Sequence, residues 1–409
     1  MRACFVILLS AALAAAPAAA KEPSSPSVQL ARTVELMKLP KDRVPAITFA
    51  RPFVRVSPKG DRAIYIRRDG RSAVMYLRKL DGQGQEGPVP AAAKMSSIHW
   101  QNAFSGLNWR ADGMRVAYLV ADKDKEGNLP EPPYRLGVQV FQWDLPVAQA
   151  AGGGGTGRKD MPCCTSVTYS ADGKTLWRAL GDEKNRTRAA LAAASKTRRK
   201  LNGVLYRAEG VGIYHLAPSP DGRHLAWIEA ASRRGARKSN PSAVVVMDVG
   251  KLKIARRVLL GPLVVGPIDA PPPVWADGGK LLCYGDVVRI ARICHREVHA
   301  LDVKTGTTRL VIRNAVAVGA TGKWLFLNRG PAVMPMSQMI SSYAPIGDPR
   351  PRRDAIVACR LDEGAGPITI LDGAYLQQVT GGSLIYATRS GEHILVMKAA
   401  LKTVTGTSD

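Results

Sequence analysis

The chain has 409 residues, 46% hydrophobic and 22% charged, with 39 Gly, 28 Pro and 6% aromatics. Such a composition can bury a core, and it excludes a wholly disordered, collagen-like or disulfide-framework protein. Lysine and arginine number 58 against 33 acidic residues, a formal net charge of +25, so acidic polymers and anionic surfaces are attracted without being told apart.

At the N-terminus, Arg2 precedes an apolar run from Phe5 through Ala14, broken only by Ser10, and Ala18-Ala19-Ala20 stand just before Lys21. This pattern predicts a signal peptide over residues 1–20, cleaved near Ala20, and a periplasmic or secreted protein. The run is shorter than the roughly 20 residues of a membrane helix, and no later stretch supplies them, so no membrane span is expected. Cys4 stands ahead of the apolar run, too early for a lipid-anchored cysteine. Residues 21–45 read as an extended N-terminal segment, 46–405 as the folded body and 406–409 as a tail. Five cysteines follow the leader: Cys163, Cys164, Cys283, Cys294 and Cys359. A bridge between Cys283 and Cys294 across a hairpin and a pair of buried apolar thiols are both open readings.

Farther along, a turn of small and acidic residues between two apolar runs recurs. It appears at Ser57-Pro58-Lys59-Gly60-Asp61, Arg110-Ala111-Asp112-Gly113, Ser170-Ala171-Asp172-Gly173, Ser219-Pro220-Asp221-Gly222 and Ala276-Asp277-Gly278. Two further copies, Thr321-Gly322-Lys323 and Thr380-Gly381-Gly382, lack the carboxylate but keep the glycine. Proline presets φ, aspartate bonds its own backbone, and glycine accepts positive φ, so each copy is a hairpin turn. A third strand follows most copies, as at 73–80, 138–145, 243–249, 297–303, 355–361 and 393–399. Fourth strands are predicted at 254–260 and 307–312. The seven glycines, Gly60, Gly113, Gly173, Gly222, Gly278, Gly322 and Gly382, lie between 44 and 60 residues apart. One small sheet cannot cover both its faces, and stacking sheets around an axis does so. The predicted fold is therefore all-β: a β-propeller of seven blades, each of four antiparallel strands.

The Ser219 to Arg223 block, with its relatives at Ser57, Ala111 and Ser170, resembles the WD-type repeat of TolB-like propellers. It also resembles the propeller domain of prolyl oligopeptidase family peptidases. The similarity runs over roughly residues 46–405 and implies architecture rather than activity. Residues 21–45 are too few for the additional α/β domain that TolB carries. The oligopeptidases pair their propeller with a hydrolase domain whose serine lies in GxSxG; no such motif occurs in this chain, and that chemistry is not expected.

Metal and cofactor signals are equally sparse. His295 and His299 are four apart, which on a strand separates them by about 13 Å along one face. The six histidines, His99, His215, His224, His295, His299 and His393, are scattered over several repeats. Asp122 to Asn128 opens like a calcium loop, but Pro133 stands where the bidentate glutamate belongs. No cofactor and no metal are expected. Pro130 to Pro133, Pro271 to Pro273 and Gly152 to Gly155 read as links between strands.

The basic residues cluster in such links: Arg186 and Arg188, Arg198 and Arg199, Arg233, Arg234 and Arg237, and Arg352 and Arg353. These are the candidate binding residues. Few aromatics interleave with them, so specific nucleic-acid recognition is not expected. The leading expectation is a non-catalytic, monomeric, exported propeller that binds a protein or an anionic envelope polymer through its basic rim. The alternative is a lyase or hydrolase acting on an acidic substrate, with a histidine site at the channel mouth.

Overall fold

The computed structural model describes residues 27–44, 52–69, 72–80, 86–89, 95–96, 107–121, 136–142, 150–151, 163–181, 188–195, 197–231, 241–261, 271–290, 293–330, 354–362 and 366–404. Among them, strands form seven sheets, six with four strands and one with five. The first strand of the chain is β1 (Ser27–Pro40). Blade 1 holds β2 (Val54–Val56), β3 (Arg62–Asp69), β4 (Ser72–Lys79) and β5 (Glu86–Pro88), with β6 (Met95–Ser96) also pairing β4. Blade 2 holds β7 (Asn108–Trp109), β8 (Arg115–Ala121), β9 (Leu136–Gln142) and β10 (Ala150–Ala151). Blade 3 holds β11 (Cys163–Tyr169), β12 (Thr175–Gly181), β13 (Arg188–Ser195) and β14 (Gly203–Glu209). Blade 4 holds β15 (Val211–Pro218), β16 (His224–Ala231), β17 (Ala243–Asp248) and β18 (Lys253–Leu259). Blade 5 holds β19 (Val274–Ala276), β20 (Leu281–Ile290), β21 (Ile293–Asp302) and β22 (Thr308–Arg313). Blade 6 holds β23 (Ala315–Thr321), β24 (Trp324–Arg329), β25 (Ala355–Arg360) and β26 (Ile368–Asp372). Blade 7 holds β27 (Ala374–Thr380), β28 (Ser383–Ser390), β29 (His393–Val404) and, as its fourth strand, β1.

The burial of each strand follows its rank in the blade. The middle strands β17, β24 and β25 each run through five consecutive buried residues, because blades cover both of their faces and alternation is lost. The fourth strands β18 and β22 are mostly exposed. The apolar clusters lie between neighbouring sheets: Trp177 of blade 3 and Trp227 of blade 4 share one, and Leu327 of blade 6 joins Cys283 of blade 5 in another. Each joint thus removes two apolar faces from water at once.

Polar bonds tie every blade to the next. Trp109 Nε1 donates to Arg55 O at 3.3 Å, and Asn108 Nδ2 to Val167 O at 3.3 Å. Thr165 Oγ1 donates to Ile213 O at 2.5 Å, and Trp275 Nε1 to Ala217 O at 2.8 Å. Asp277 N donates to Gly322 O at 2.8 Å, and Asn328 Nδ2 to Leu376 O at 2.9 Å. The last joint returns to blade 1, where Phe53 N and Val56 N donate to the side chains of Gln377 and Gln378 at 2.8 and 2.7 Å. Each link runs from one sheet to its neighbour, and together the seven close the ring.

Two expectations change. The segment divided from the body at residue 45 is not separate from it, because β1 pairs antiparallel with β29 from Ser27 opposite Val404 to Pro40 opposite His393. Its buried Val28 joins the apolar cluster shared with Trp324 and Phe326 of blade 6, and its buried Met37 and Leu39 join that of Phe53 and Ile64 of blade 1, so this edge strand packs toward both neighbouring blades. The bridge between Cys283 and Cys294 is excluded by register: Cys283 faces Ala300 while Cys294 faces Arg289, six residues or about 20 Å along the strand. Cys283 is instead a buried free thiol whose pKa burial pushes up to about 12.

Candidate functional site

The repeated turns supply the first recurring polar geometry. In blade 4, Gly222 N donates to Ser219 O at 3.0 Å and Ser219 N to His224 O at 2.9 Å, closing a tight hairpin. The Ser219 hydroxyl donates to Asp221 Oδ1 at 2.5 Å, and the same oxygen accepts from Arg223 N at 3.0 Å. Blade 3 repeats this with Ser170, Asp172 and Lys174. Burial opposes ionisation of Asp172 and Asp221, but the serine hydroxyl and the backbone N–H outweigh it, so both carboxyls lie below the usual range. In blade 2, Arg110 takes the serine's place and bonds the Asp112 carboxylate directly.

All seven turn glycines have positive φ, from +54° at Gly322 to +77° at Gly60. Blade 5 departs from the others. Its additional Gly279 shifts the turn, and Asp277 itself takes φ +47°. The turns also adjoin: a methyl group on Gly173 would come within 2.7 Å of Arg110 Cγ, and one on Gly279 within 3.1 Å of Asp221 Oδ1. They therefore crowd together at one end of the ring.

Between the turns of blades 3 and 4 lies a cleft of about 260 Å³. Trp177, Leu201 and Pro218 line it with apolar surface, and Asp172, Arg198, Asp221 and His224 bring polar groups to it. The link from β13 to β14 shapes one side, passing through a 3-10 turn at Arg199–Leu201. Ser195 Oγ accepts from Arg198 N at 3.1 Å and from the Thr175 hydroxyl at 3.2 Å, while Asn202 Oδ1 accepts from Ser195 N at 2.7 Å. Arg198 is thereby held at the cleft by its own backbone. Sequence reasoning found Arg198 as one of a charge cluster; the cleft itself had no signal, since its two walls belong to different repeats.

Only some of the other candidate residues are among those described. Arg198 and Arg199 stand at the turn end. Arg188 is the first residue of β13. Arg186 falls between β12 and β13, Arg233, Arg234 and Arg237 between β16 and β17, and Arg352 and Arg353 between β24 and β25, all outside the described residues. Each of these three links joins a second strand to a third, and the flanking described strands end opposite the turns. The calcium-like stretch from Asp122 and His99 also lie outside the described residues.

The described histidines do not meet. His215 is on β15, His224 on β16, His295 and His299 on β21, and His393 on β29. His295 Nδ1 lies 3.3 Å from Asn314 Oδ1, and His299 Nε2 lies 3.0 Å from Glu297 Oε2. Glu297 also accepts from Arg313 Nε at 2.8 Å. Burial raises the Glu297 pKa, yet the bonds from Arg313 and His299 prevail and leave it below the ordinary value. Among the described residues, no three His, Cys, Asp or Glu side chains form a group able to hold a metal. Nor is any helix among them long and apolar enough to cross a membrane.

A second acid is fully buried. Glu229 accepts from the Tyr206 hydroxyl at 2.9 Å, Trp227 Nε1 at 3.1 Å and Arg257 Nη2 at 2.5 Å. Tyr206 belongs to blade 3 and the others to blade 4, so this network fastens one sheet to the next.

No family model matches the chain, and no curated protein does. Solved structures do. An oligogalacturonate lyase from Vibrio parahaemolyticus is 8% identical with a TM-score of 0.53, over 92% of this chain and 97% of that one. An oligogalacturonate lyase in complex with manganese is 10% identical with a TM-score of 0.51, over 93% and 97%. TolB from Acinetobacter baumannii is 12% identical with a TM-score of 0.37, over 65% of this chain and 53% of TolB, so the match spans about half of that protein. At such identities the likeness is one of fold, and the fold is a β-propeller built of four-stranded antiparallel blades.

Proposed function

We propose that this protein is an exported β-propeller that acts by binding an anionic partner, an acidic protein face or an envelope polymer. The observation that carries the reading is where its basic clusters attach. Arg233, Arg234 and Arg237 belong to the second-to-third strand link of blade 4, and Arg352 and Arg353 to that of blade 6. The corresponding hairpin of blade 5, between β20 and β21, carries Arg289 and Arg292. These clusters, far apart in sequence, fall in links whose flanking described strands belong to three consecutive blades. Charges of one sign along a contiguous arc raise the rate and strength of association with a polyanion. Links on a rigid ring can change without disturbing the sheets that carry them.

The test is retention of the full chain on immobilised polygalacturonate and polyphosphate at increasing salt, beside a variant with Arg233, Arg234 and Arg237 changed to Glu. Retention that weakens with salt and collapses in the variant supports the reading; equal retention of the two proteins overturns it. The lyases among the structural neighbours make oligogalacturonate a suitable soluble probe. Cleavage of that probe in the same assay would favour an enzyme on acidic substrates instead.

A further inference from the structure

The inner wall of the ring is independent of the links invoked above. It is made by the first strands of the blades: β2, β7, β11, β15, β19, β23 and β27. Side-chain bonds join β2 to β7, β7 to β11, β11 to β15, β15 to β19 and β27 to β2, and β23 lies alongside both β19 and β27. Strands that neighbour one another in a closed circle surround the axis, so these seven wall the channel. They contain no aspartate or glutamate, and Arg55 and His215 are their only basic residues. We infer that this channel binds a small singly charged oxyanion, a carboxylate or a phosphate, gripped by the Arg55 guanidinium.

The side chain is aimed by its neighbours. Val54 and Val56 are buried in an apolar cluster, so Arg55 leaves β2 on the opposite side. There its Nη1 donates to Gln377 O on β27 at 2.9 Å, which lays the guanidinium across the seam between two wall strands. Arg55 is half-buried, so solvent reaches it, yet burial pushes its pKa down to about 10. Water on one side and protein on the others is the environment of a channel. Among the described residues the guanidinium makes no ion pair, and no hydrogen bond besides that to Gln377 O.

A desolvated cation without a carboxylate beside it is costly to fold around, and the wall does not require one. Ala217 fills the corresponding place in blade 4, where its carbonyl accepts from Trp275 Nε1 as that of Arg55 accepts from Trp109 Nε1. An alanine therefore suffices to build the wall. The guanidinium, in contrast, keeps N–H donors in a planar fork that matches two oxygens of a carboxylate or phosphate. One fixed cation between neutral strands balances one negative charge, which favours a monoanion over a polymer.

The probes are acetate and dihydrogen phosphate, titrated into the full chain at constant chloride and slightly acidic pH. The Trp109 indole N–H, bonded to Arg55 O, reports binding by nuclear magnetic resonance. Both oxyanions, or one of them, should shift that signal to saturation, and the tighter of the two identifies the class. Arg55→Gln should weaken binding about tenfold or more, as loss of a charge-assisted contact does. In chloride alone this variant should unfold at the parental temperature or above it, because relief of a desolvated charge offsets one lost bond. Added oxyanion should then raise the unfolding temperature of the parent and not of the variant. The Glu substitutions at Arg233, Arg234 and Arg237 should leave oxyanion affinity as it is, which separates this site from the polyanion surface. No saturable shift with either oxyanion, or parental affinity in Arg55→Gln, overturns the inference. So does a variant that unfolds well below the parent in chloride, since Arg55 would then serve the fold itself.

Discussion

Blades 4 and 7 solve one structural problem in opposite ways. Blade 4 is a single uninterrupted stretch whose Ser219–Asp221 turn is bonded within itself and whose Glu229 fastens it to blade 3. Blade 7 is assembled from both ends of the chain, and Thr380-Gly381-Gly382 turns without a carboxylate, on glycines at φ +52° and +70°. Its hold lies at the joint with blade 1, where Gln377, 1% exposed, and Gln378 bond the backbone of β2. Arg55 adds a bond from Nη1 to Gln377 O at 2.9 Å, and burial pushes its pKa down to about 10. The difference teaches that a propeller blade tolerates an impoverished turn when its inner strand and outer edge are secured by distant partners.

The strongest way to break this comparison is to delete residues 27–40. Val28, Met37 and Leu39 are 4%, 1% and 5% exposed, so their loss should remove on the order of 5 kcal/mol. It should also leave β29 as an open edge that self-associates. Urea unfolding and sedimentation measure the two effects, and a truncated chain that stayed monomeric at parental stability would show the ring closed by other means. Next comes Glu229→Ala in blade 4, expected to cost about 1–3 kcal/mol because the buried Trp227 Nε1 loses its acceptor, while the exposed Arg257 stays hydrated. Glu229→Gln, which retains acceptors, should cost less in the same denaturation assay.

Gln377→Ala strips the buried Phe53 N–H of its acceptor and should cost about 1–3 kcal/mol, with faster amide exchange confined to the joint of blades 7 and 1. Gly222→Ala should cost about 1–2 kcal/mol from its φ alone, since nothing lies within 4 Å of the added carbon. Gly173→Ala should cost more, because that carbon would also strike Arg110. The smallest effect is on acid stability. Asp221 has a folded pKa below its ordinary 3.8, so its contribution is complete above that value and is lost as pH falls through the depressed one. Asp221→Asn should flatten the acid limb of the stability curve in that window, while the blade 7 turn, lacking an acid, should show no such dependence.

What could be read from sequence was local. The Ser-Pro-Asp-Gly turn states its own hydrogen bonds, and the apolar runs after it fall within a few residues of β17, β21 and β25. β13 escaped because Arg-Ala-Ala-Leu-Ala-Ala-Ala-Ser has little intrinsic strand preference; its extended form is imposed by the strands on either side. β1 escaped because its partner lies more than 350 residues away, and nothing in Ser27–Pro40 names β29. Asn108, Thr165, Asn328 and Gln377 looked like ordinary polar residues, since their partners are backbone groups of other repeats. Arg198 was conspicuous by charge, but its cleft exists only once two repeats are set side by side.

The antiparallel pairing of Ser27 with Val404 sets the two ends of the fold on adjacent rungs of one ladder. A short hairpin joining them would make the polypeptide continuous around the axis. The point of opening could then move to any tight link between blades, such as Gly210 with its φ of +76°. A circular permutant begun at Val211 should fold to the same toroid, with every blade then drawn from contiguous sequence.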